Sequence, residues 1–316
     1  MAFTLETYLP DHLEGMLQLY NAQTAGEPHI ALLSPALFGE LVEAKPWFDA
    51  TGLLVALDRG AVVGWVHACV APGTEPWHDG VQRTGRIAML ICPPQHLEVG
   101  QALVAEATRW LADRGQHEAM ALHAQGGYPL YRGLWMGGEP ICPTTLPHLH
   151  LAFEVNGYHA ALESVFMTAR LDSAPRVPQP RVAVEFEAGE ATMAHDGMRH
   201  SWTGFRPCSV RARVHGQEAG FLGWAMLPHV AARLGAPCAS IWSLGVPEAH
   251  RRQGIAAALV GRALAQAWAE GARFVSLGTQ LWNSAAHATY ARFGMAPERL
   301  IIGRMRNPTV PEARVV

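Results

Sequence analysis

The chain repeats itself, and a duplication constrains the fold more than any single segment does. Gly64-Trp65 and Gly223-Trp224 each sit in an apolar run that reads as a strand. Pro93 and Gly100 match Pro247 and Gly254 at one offset, since 247 − 93 and 254 − 100 both equal 154. Phe153-x-x-x-Gly157-Tyr158 matches Tyr290-x-x-x-Gly294-Met295 at a smaller one, 290 − 153 or 137. The change of offset puts about 17 extra residues (154 − 137) into the first copy, around the glycine- and aromatic-rich run 126–138. We read that run as an insertion packed between the copies, with a pocket loop as the alternative. Residues 171–180 hold Pro175, Pro178 and Pro180, which favours an extended connector. The expected domains are therefore 1–172 and 181–316.

Within the first copy the pattern alternates between strand and helix. A strand is expected over 3–8. Asp11 to Glu14 has capping-box spacing, and Leu13, Met16, Leu17 and Tyr20 share a helical face. Ser34-Pro35 reads as a cap followed by a first-turn proline, opening a helix through Phe38, Leu41 and Val42 that stops before Pro46. Runs 53–58 and 61–70 flank Arg59-Gly60, a hairpin signal. A strand over 87–92 precedes the helical stripe Val99, Leu103, Ala107 and Trp110, which ends at Gly115, and a strand follows over 117–123. The second copy opens with strands over 181–186 and 210–214. The stretch between, 187–205, is too short for the two helices the first copy has there.

The second copy then supplies a strand, Ile241-Trp-Ser-Leu-Gly, a loop Val246-Pro-Glu-Ala-His-Arg-Arg-Gln-Gly-Ile-Ala, and an alanine-rich helix ending before Gly271. A loop of Arg251, Arg252, Gln253 and Gly254 opening a helix is an anion site. The first N–H groups of a helix lack internal partners, its dipole favours negative charge, and a glycine lets the backbone come close. The next strand spans 273–279. Asn283-Ser-Ala-Ala-His-Ala-Thr-Tyr-Ala-Arg-Phe-Gly-Met then reads as a capped helix closed at Gly294.

The spacing Arg251-x-x-Gly254-x-Ala256 after a strand, followed by the Asn283 to Met295 helix, resembles the GCN5-related N-acetyltransferase (GNAT) family. The resemblance implies an α/β fold of two tandem domains, each a mixed, strongly twisted central sheet flanked by helices. It implies acetyl-coenzyme A as acyl donor, without a metal, and direct transfer of the acetyl group to the amine of a small molecule in a ternary complex. The loop Arg251, Arg252, Gln253, Gly254, Ile255, Ala256 would hold the pyrophosphate. The backbone of Leu244, Gly245 and Val246 would pair with pantetheine and donate to the thioester oxygen. Asn283 would reach the cofactor arm, and Tyr290, two turns on and on the same face, would protonate the leaving sulfur. No general base is visible; Glu187, His200, Glu248 and His287 stay open. The rival reading is a non-catalytic acyl-coenzyme A sensor or scaffold.

The first copy lacks these parts. Leu97 and Glu98 stand where Arg251 and Arg252 should, and Phe153 stands for Tyr290. Tyr131 lacks a glycine four residues on. We therefore expect a degenerate first copy that shapes the structure or the substrate site, with a second, unusual ligand site as the alternative; where 187–205 is short, the first copy or a partner chain is expected to wall the acceptor pocket.

Composition excludes other classes. Hydrophobic residues make up 49% and charged residues 16% of 316, enough for a large core. A net charge of -3 argues against nucleic-acid binding. The five cysteines (69, 92, 142, 208, 238) form no Cys-x-x-Cys, so neither a disulfide framework nor a zinc site is indicated. Sixteen histidines, His148, His150, His195 and His200 among them, show no three-ligand spacing. No basic-then-apolar leader and no run near the ~20 residues of a membrane span is present. A cytoplasmic protein without a membrane partner is expected. Two copies in one chain suggest a covalent pseudo-dimer, and sedimentation should return a monomer.

Overall fold

The computed structural model describes residues 2–76, 78–122, 127–136 and 145–306. Cys142, the ends of the 126–138 run, the last residue of the expected 117–123 strand and the tail beyond 306 lie outside them. Strands are β1 (Thr4–Thr7), β2 (Leu53–Asp58), β3 (Ala61–Pro72), β4 (Arg83–Ile91), β5 (Ala119–Ala121) and β6 (His159–Arg170) in the first copy. The second has β7 (Glu185–Glu190), β8 (Pro207–Val214), β9 (Gln217–Met226), β10 (Cys238–Gly245), β11 (Phe274–Gln280) and β12 (Ala296–Arg306). Helices are α1 (Leu13–Gln23), α2 (Pro35–Phe38), α3 (Leu97–Ala112), α4 (Pro147–Glu154), α5 (Asp196–Ser201), α6 (Ala231–Leu234), α7 (Ile255–Ala269) and α8 (Ser284–Ala291).

Local chemistry accounts for most of these bounds. Arg59 and Gly60 both take positive φ (51° and 82°), as a type I′ hairpin requires. Ser34 Oγ accepts the Leu37 N–H at 3.2 Å, and the helix that Pro35 begins widens into a π turn over Gly39–Glu43 before Pro46. Asp11 does not cap α1. Pro10–His12 instead forms a 3₁₀ turn in which the His12 ring accepts the Leu9 N–H. The expected strand over 181–186 begins late, because the Arg181 N–H is already given to the Gln253 carbonyl beside α7. The strand expected from 210 starts at Pro207, where it pairs with Ala225.

All twelve strands form one sheet in the order β1-β2-β3-β4-β5-β12-β6-β11-β10-β9-β8-β7. The order is a palindrome of the duplication, and the last strands have changed places. The first copy's β6 lies along the second copy's β11, from Phe274↔Arg170 to Gln280↔Ser164. The second copy's β12 lies along the first copy's β5, from Arg304↔Ala121 to Arg306↔Ala119. β6 and β12 pair with each other, so the seam is itself hydrogen-bonded.

The repeat is carried in detail at some positions only. Gly157 and Gly294 both turn the chain after a helix, with φ of 76° and 75°. Gly100 and Gly254 differ. Gly254 precedes α7 with φ 86°, whereas α3 already starts at Leu97 and Gly100 lies inside it against Cys92. The two Gly-Trp pairs also face opposite ways. Gly64 meets α3 and Trp65 the other face, while Trp224 shares a buried cluster with α7 and Gly223 lies under Trp242.

Residues 127–136 of the insertion pack between the copies. Arg132, 1% exposed, pairs with the buried Glu75 at 2.6 Å, and its Nε donates to Ser201 Oγ at 2.7 Å. Ser201 Oγ donates onward to the Tyr128 carbonyl at 2.6 Å, and the Arg132 guanidinium lies 4.2 Å from the Trp202 ring. The sole lysine, Lys45, donates to the carbonyls of His200 and Thr203, and burial lowers its pKa to about 8. The first copy thus walls the short 187–205 segment.

His67 is fully buried beside Tyr131, whose hydroxyl is 2.7 Å from Nδ1. Burial lowers its pKa to about 3. The unfolded chain takes up this proton near pH 6.5, so the contribution is complete above that value and is lost as pH falls toward 3. We predict a loss of up to about 1.4 kcal/mol per pH unit below 6.5 from this group. Urea unfolding at pH 7.5 and 5.0 should show a smaller pH dependence for His67→Gln than for the unchanged chain.

Candidate functional site

β10 and β11 run parallel and pair from Cys238↔Phe274 to Ile241↔Leu277. Beyond that both strands continue but no longer pair. A bulge at Trp242 keeps β10 on its other neighbour, with Leu244 opposite Leu222 and Gly245 opposite Phe221. The last residues of β10 therefore have one edge committed to β9 and one edge free of any strand. Leu244 and Gly245 of the expected pantetheine backbone lie on this stretch, and Val246 follows it directly.

The loop after β10 is shaped by two left-handed residues. Arg252 has φ 63° and Gly254 φ 86°. Such turns point successive N–H groups toward one spot, a concavity that suits an anion. Among the described residues, no acceptor takes the N–H groups of Gln253, Gly254, Ile255 or Ala256. For an arginine, positive φ costs on the order of 1–2 kcal/mol, so the rest of the loop must hold it. Arg251 does part of this, its Nε donating to the Val246 carbonyl at 3.1 Å. Gln253 does another part, its side chain reaching the Ala249 carbonyl.

A cleft of about 590 Å³ opens at this loop. Val246, Arg251, Arg252, Gly254, Ile255 and Ala256 line it from one side. Ala285, Ala288, Thr289 and Arg292 of the α8 region line it from the other, and Pro178, Gln179 and Arg181 close it. No carboxylate lines the cleft, and none pairs with Arg181, Arg251, Arg252 or Arg292 among the described residues. The small side chains of α8 leave room, and the arginines leave positive charge. Arg181 and Arg292 escaped the sequence reading. Arg181 is expected only as the first residue of a strand, and Arg292 sits one residue beyond a helix that draws attention only for its tyrosine.

Asn283 caps α8, its side-chain oxygen accepting the Ala286 N–H at 3.1 Å. Tyr290 is 6% exposed and belongs to the buried cluster that also holds Ile241 and Leu277, the last paired residues of β10 and β11. Burial pushes its phenol up to about 12, so it keeps its proton. Neither residue lines the cationic cleft. The four base candidates are scattered. Glu187 and Glu248 are exposed on β7 and in the turn before the loop. His200 stands edge-on to Trp47, and His287 contacts the Gln280 carbonyl. His148 and His195 are held by the carbonyls of Cys92 and Glu75, and His150 by Arg304.

The corresponding place in the first copy is built differently. β4 and β5 are also parallel and pair from Gly85↔Ala119 to Ile87↔Ala121. Tyr128, Pro129 and Leu130 of the insertion lie against these strands there, leaving a void of only about 20 Å³. Because α3 begins at Leu97, helix replaces what is loop in the second copy. Glu98 adds a negative charge at its start.

Parted parallel strands, a nest of amides before a long helix and a capped helix after the second strand define the GNAT fold. Residues 177–295 match the model of the Acetyltransferase (GNAT) family. A GCN5-related N-acetyltransferase from Sphaerobacter thermophilus superposes with a TM-score of 0.64 at 16% identity, over 96% of this chain and 95% of that one. A tandem GNAT protein from the clavulanic acid biosynthesis pathway gives 0.62 at 15% identity, over 96% and 97%. A GCN5-related glucosamine N-acetyltransferase region of a fungal multi-domain β-N-acetylglucosaminidase gives 0.66 at 14% identity, over 96% of this chain and 38% of that one. No curated protein sequence matches the chain.

Replacing Arg252 by glycine relieves the backbone but removes a charge. Arg252→Gly should be as stable as the unchanged chain, or more stable by up to about 1 kcal/mol in urea unfolding. It should bind inorganic pyrophosphate several-fold more weakly by calorimetry. A less stable variant with undiminished affinity would contradict this account of the loop.

Proposed function

We propose that the second copy is an acetyl-coenzyme A-dependent N-acetyltransferase acting on the amine of a small molecule, and that the first copy is its non-catalytic partner. One observation carries this reading: unpartnered amides at Gly254, Ile255 and Ala256 open onto a carboxylate-free cleft beside β10 and β11 where they part. Acetyl-coenzyme A supplies the activated acyl group, and the acceptor supplies the amine.

The chain's own residues then have separable tasks. Arg251, Arg252 and the amides of Gln253, Gly254, Ile255 and Ala256 bind the diphosphate. The free edge of Leu244 and Gly245, with Val246 directly after it, orients the arm and aims an N–H at the oxygen that gains charge; such a fixed donor is worth on the order of 10²–10³ in rate. Asn283, with its oxygen used by the helix, has its amide NH₂ left to donate to the arm. Tyr290 holds a proton for the departing sulfur. The amine's own proton leaves to a base or to water. The first copy, through the Arg132–Glu75 pair and Lys45, fixes the 187–205 segment on the acceptor side.

The burial of Tyr290 favours a second reading, a protein that holds the acyl-coenzyme A without turning it over. Two measurements separate them. Acetyl-coenzyme A should raise the melting temperature of the chain, and Arg251→Glu with Arg252→Glu should abolish the shift. Thiol release against a panel of amines should then show turnover, with kcat lowered on the order of 10²-fold in Tyr290→Phe. Binding without turnover on any amine supports the sensor, and unchanged kcat in Tyr290→Phe removes the tyrosine from the mechanism.

A further inference from the structure

A second hollow, of about 710 Å³, adjoins the cationic cleft. The two share Pro178, Gln179 and Arg292, so the connector between the copies stands between them as a partition. The connector is fastened there. The Arg181 N–H donates to the Gln253 carbonyl at 2.8 Å. A Cβ built on Gly261 of α7 would lie 2.8 Å from Pro178 Cδ, so only glycine lets the connector lie this close to the helix.

The second hollow is also basic, and its charges are unequal in use. Arg170 is tied to Asp172 at 2.9 Å. Arg176 and Arg292 have no carboxylate partner among the described residues, and Phe293 adds an aromatic ring to the wall. A ligand anchored by its diphosphate at the Arg251 loop would run past Arg292 into this hollow. What the hollow suits is an aromatic base with a second phosphate, separated from the diphosphate by about one nucleoside.

Resting on the proposed acetyl-coenzyme A reading, we propose that the inter-copy connector is part of the coenzyme site, and that Arg176 and Arg292 bind the 3′-phosphate of coenzyme A. The two copies are then joined by a segment that reads the donor as well as spacing the domains. Two guanidinium groups facing one phosphate form charge-assisted contacts, weakened by solvent and salt at this exposure.

Calorimetric titration of the full chain with acetyl-coenzyme A and with acetyl-3′-dephospho-coenzyme A tests this. The phosphorylated form should bind roughly tenfold more tightly. The ratio should fall toward one in the Arg176→Ala, Arg292→Ala double variant and be partly kept in the corresponding double Lys variant. Equal binding of both forms by the unchanged chain, or an undiminished ratio in the Ala variant, overturns the connector's role and leaves the acetyl-coenzyme A reading standing. Binding of neither form overturns both.

Discussion

The hydrogen bonds along β6 and β12 decide the architecture. A sheet that ended at β5 or at β11 would present an open row of N–H and C=O groups at its edge. Each copy closes the other's edge with its own last strand, β12 on β5 and β6 on β11. The exchange makes a closed, two-fold arrangement of the kind isologous dimers use, here within one chain. Away from that seam the copies are also joined by side chains, Arg132 to Ser201 and Lys45 to the carbonyls of His200 and Thr203.

On this common frame the two copies part at one turn of helix. In the second, the chain stays out of helix through Arg251, Arg252 and Gln253 and enters it at Ile255, so amides and arginines face a cleft. In the first, helix begins at Leu97 and Tyr128, Pro129 and Leu130 of the insertion pack against β4 and the end of β5. A few dihedral angles and an insertion of about 17 residues therefore separate an open anion site from a packed core. The same parallel strand pair serves both.

Much of this was legible in the sequence because it is local. Alternating apolar runs, Arg59-Gly60, Ser34-Pro35, and the glycines at 157 and 294 each act through their own backbone and neighbours. The loop at Gly254 was legible for the same reason. What could not be read was long-range. Nothing in residues 159–170 or 296–306 says which copy's neighbour each strand takes, since both are apolar enough for either. The matching of Gly100 with Gly254 was true of position and false of conformation, because the start of α3 depends on how Leu97 and Val99 pack. Arg181 and Arg292 went unnoticed because a lone arginine means little until the fold brings another beside it.

The exchanged strands also set an order of events during synthesis. The edge at β5 is completed only by Arg304, Met305 and Arg306, which leave the ribosome after almost all of the second copy. Until then the first copy carries an unpaired strand edge and an unplaced β6. Contacts of such sequence separation are slow to form and expose the chain to wrong pairing. The protein therefore assembles as a single cooperative unit, its first half waiting on its last strand, and a ribosome-held nascent chain of this sequence is the state that most needs shielding.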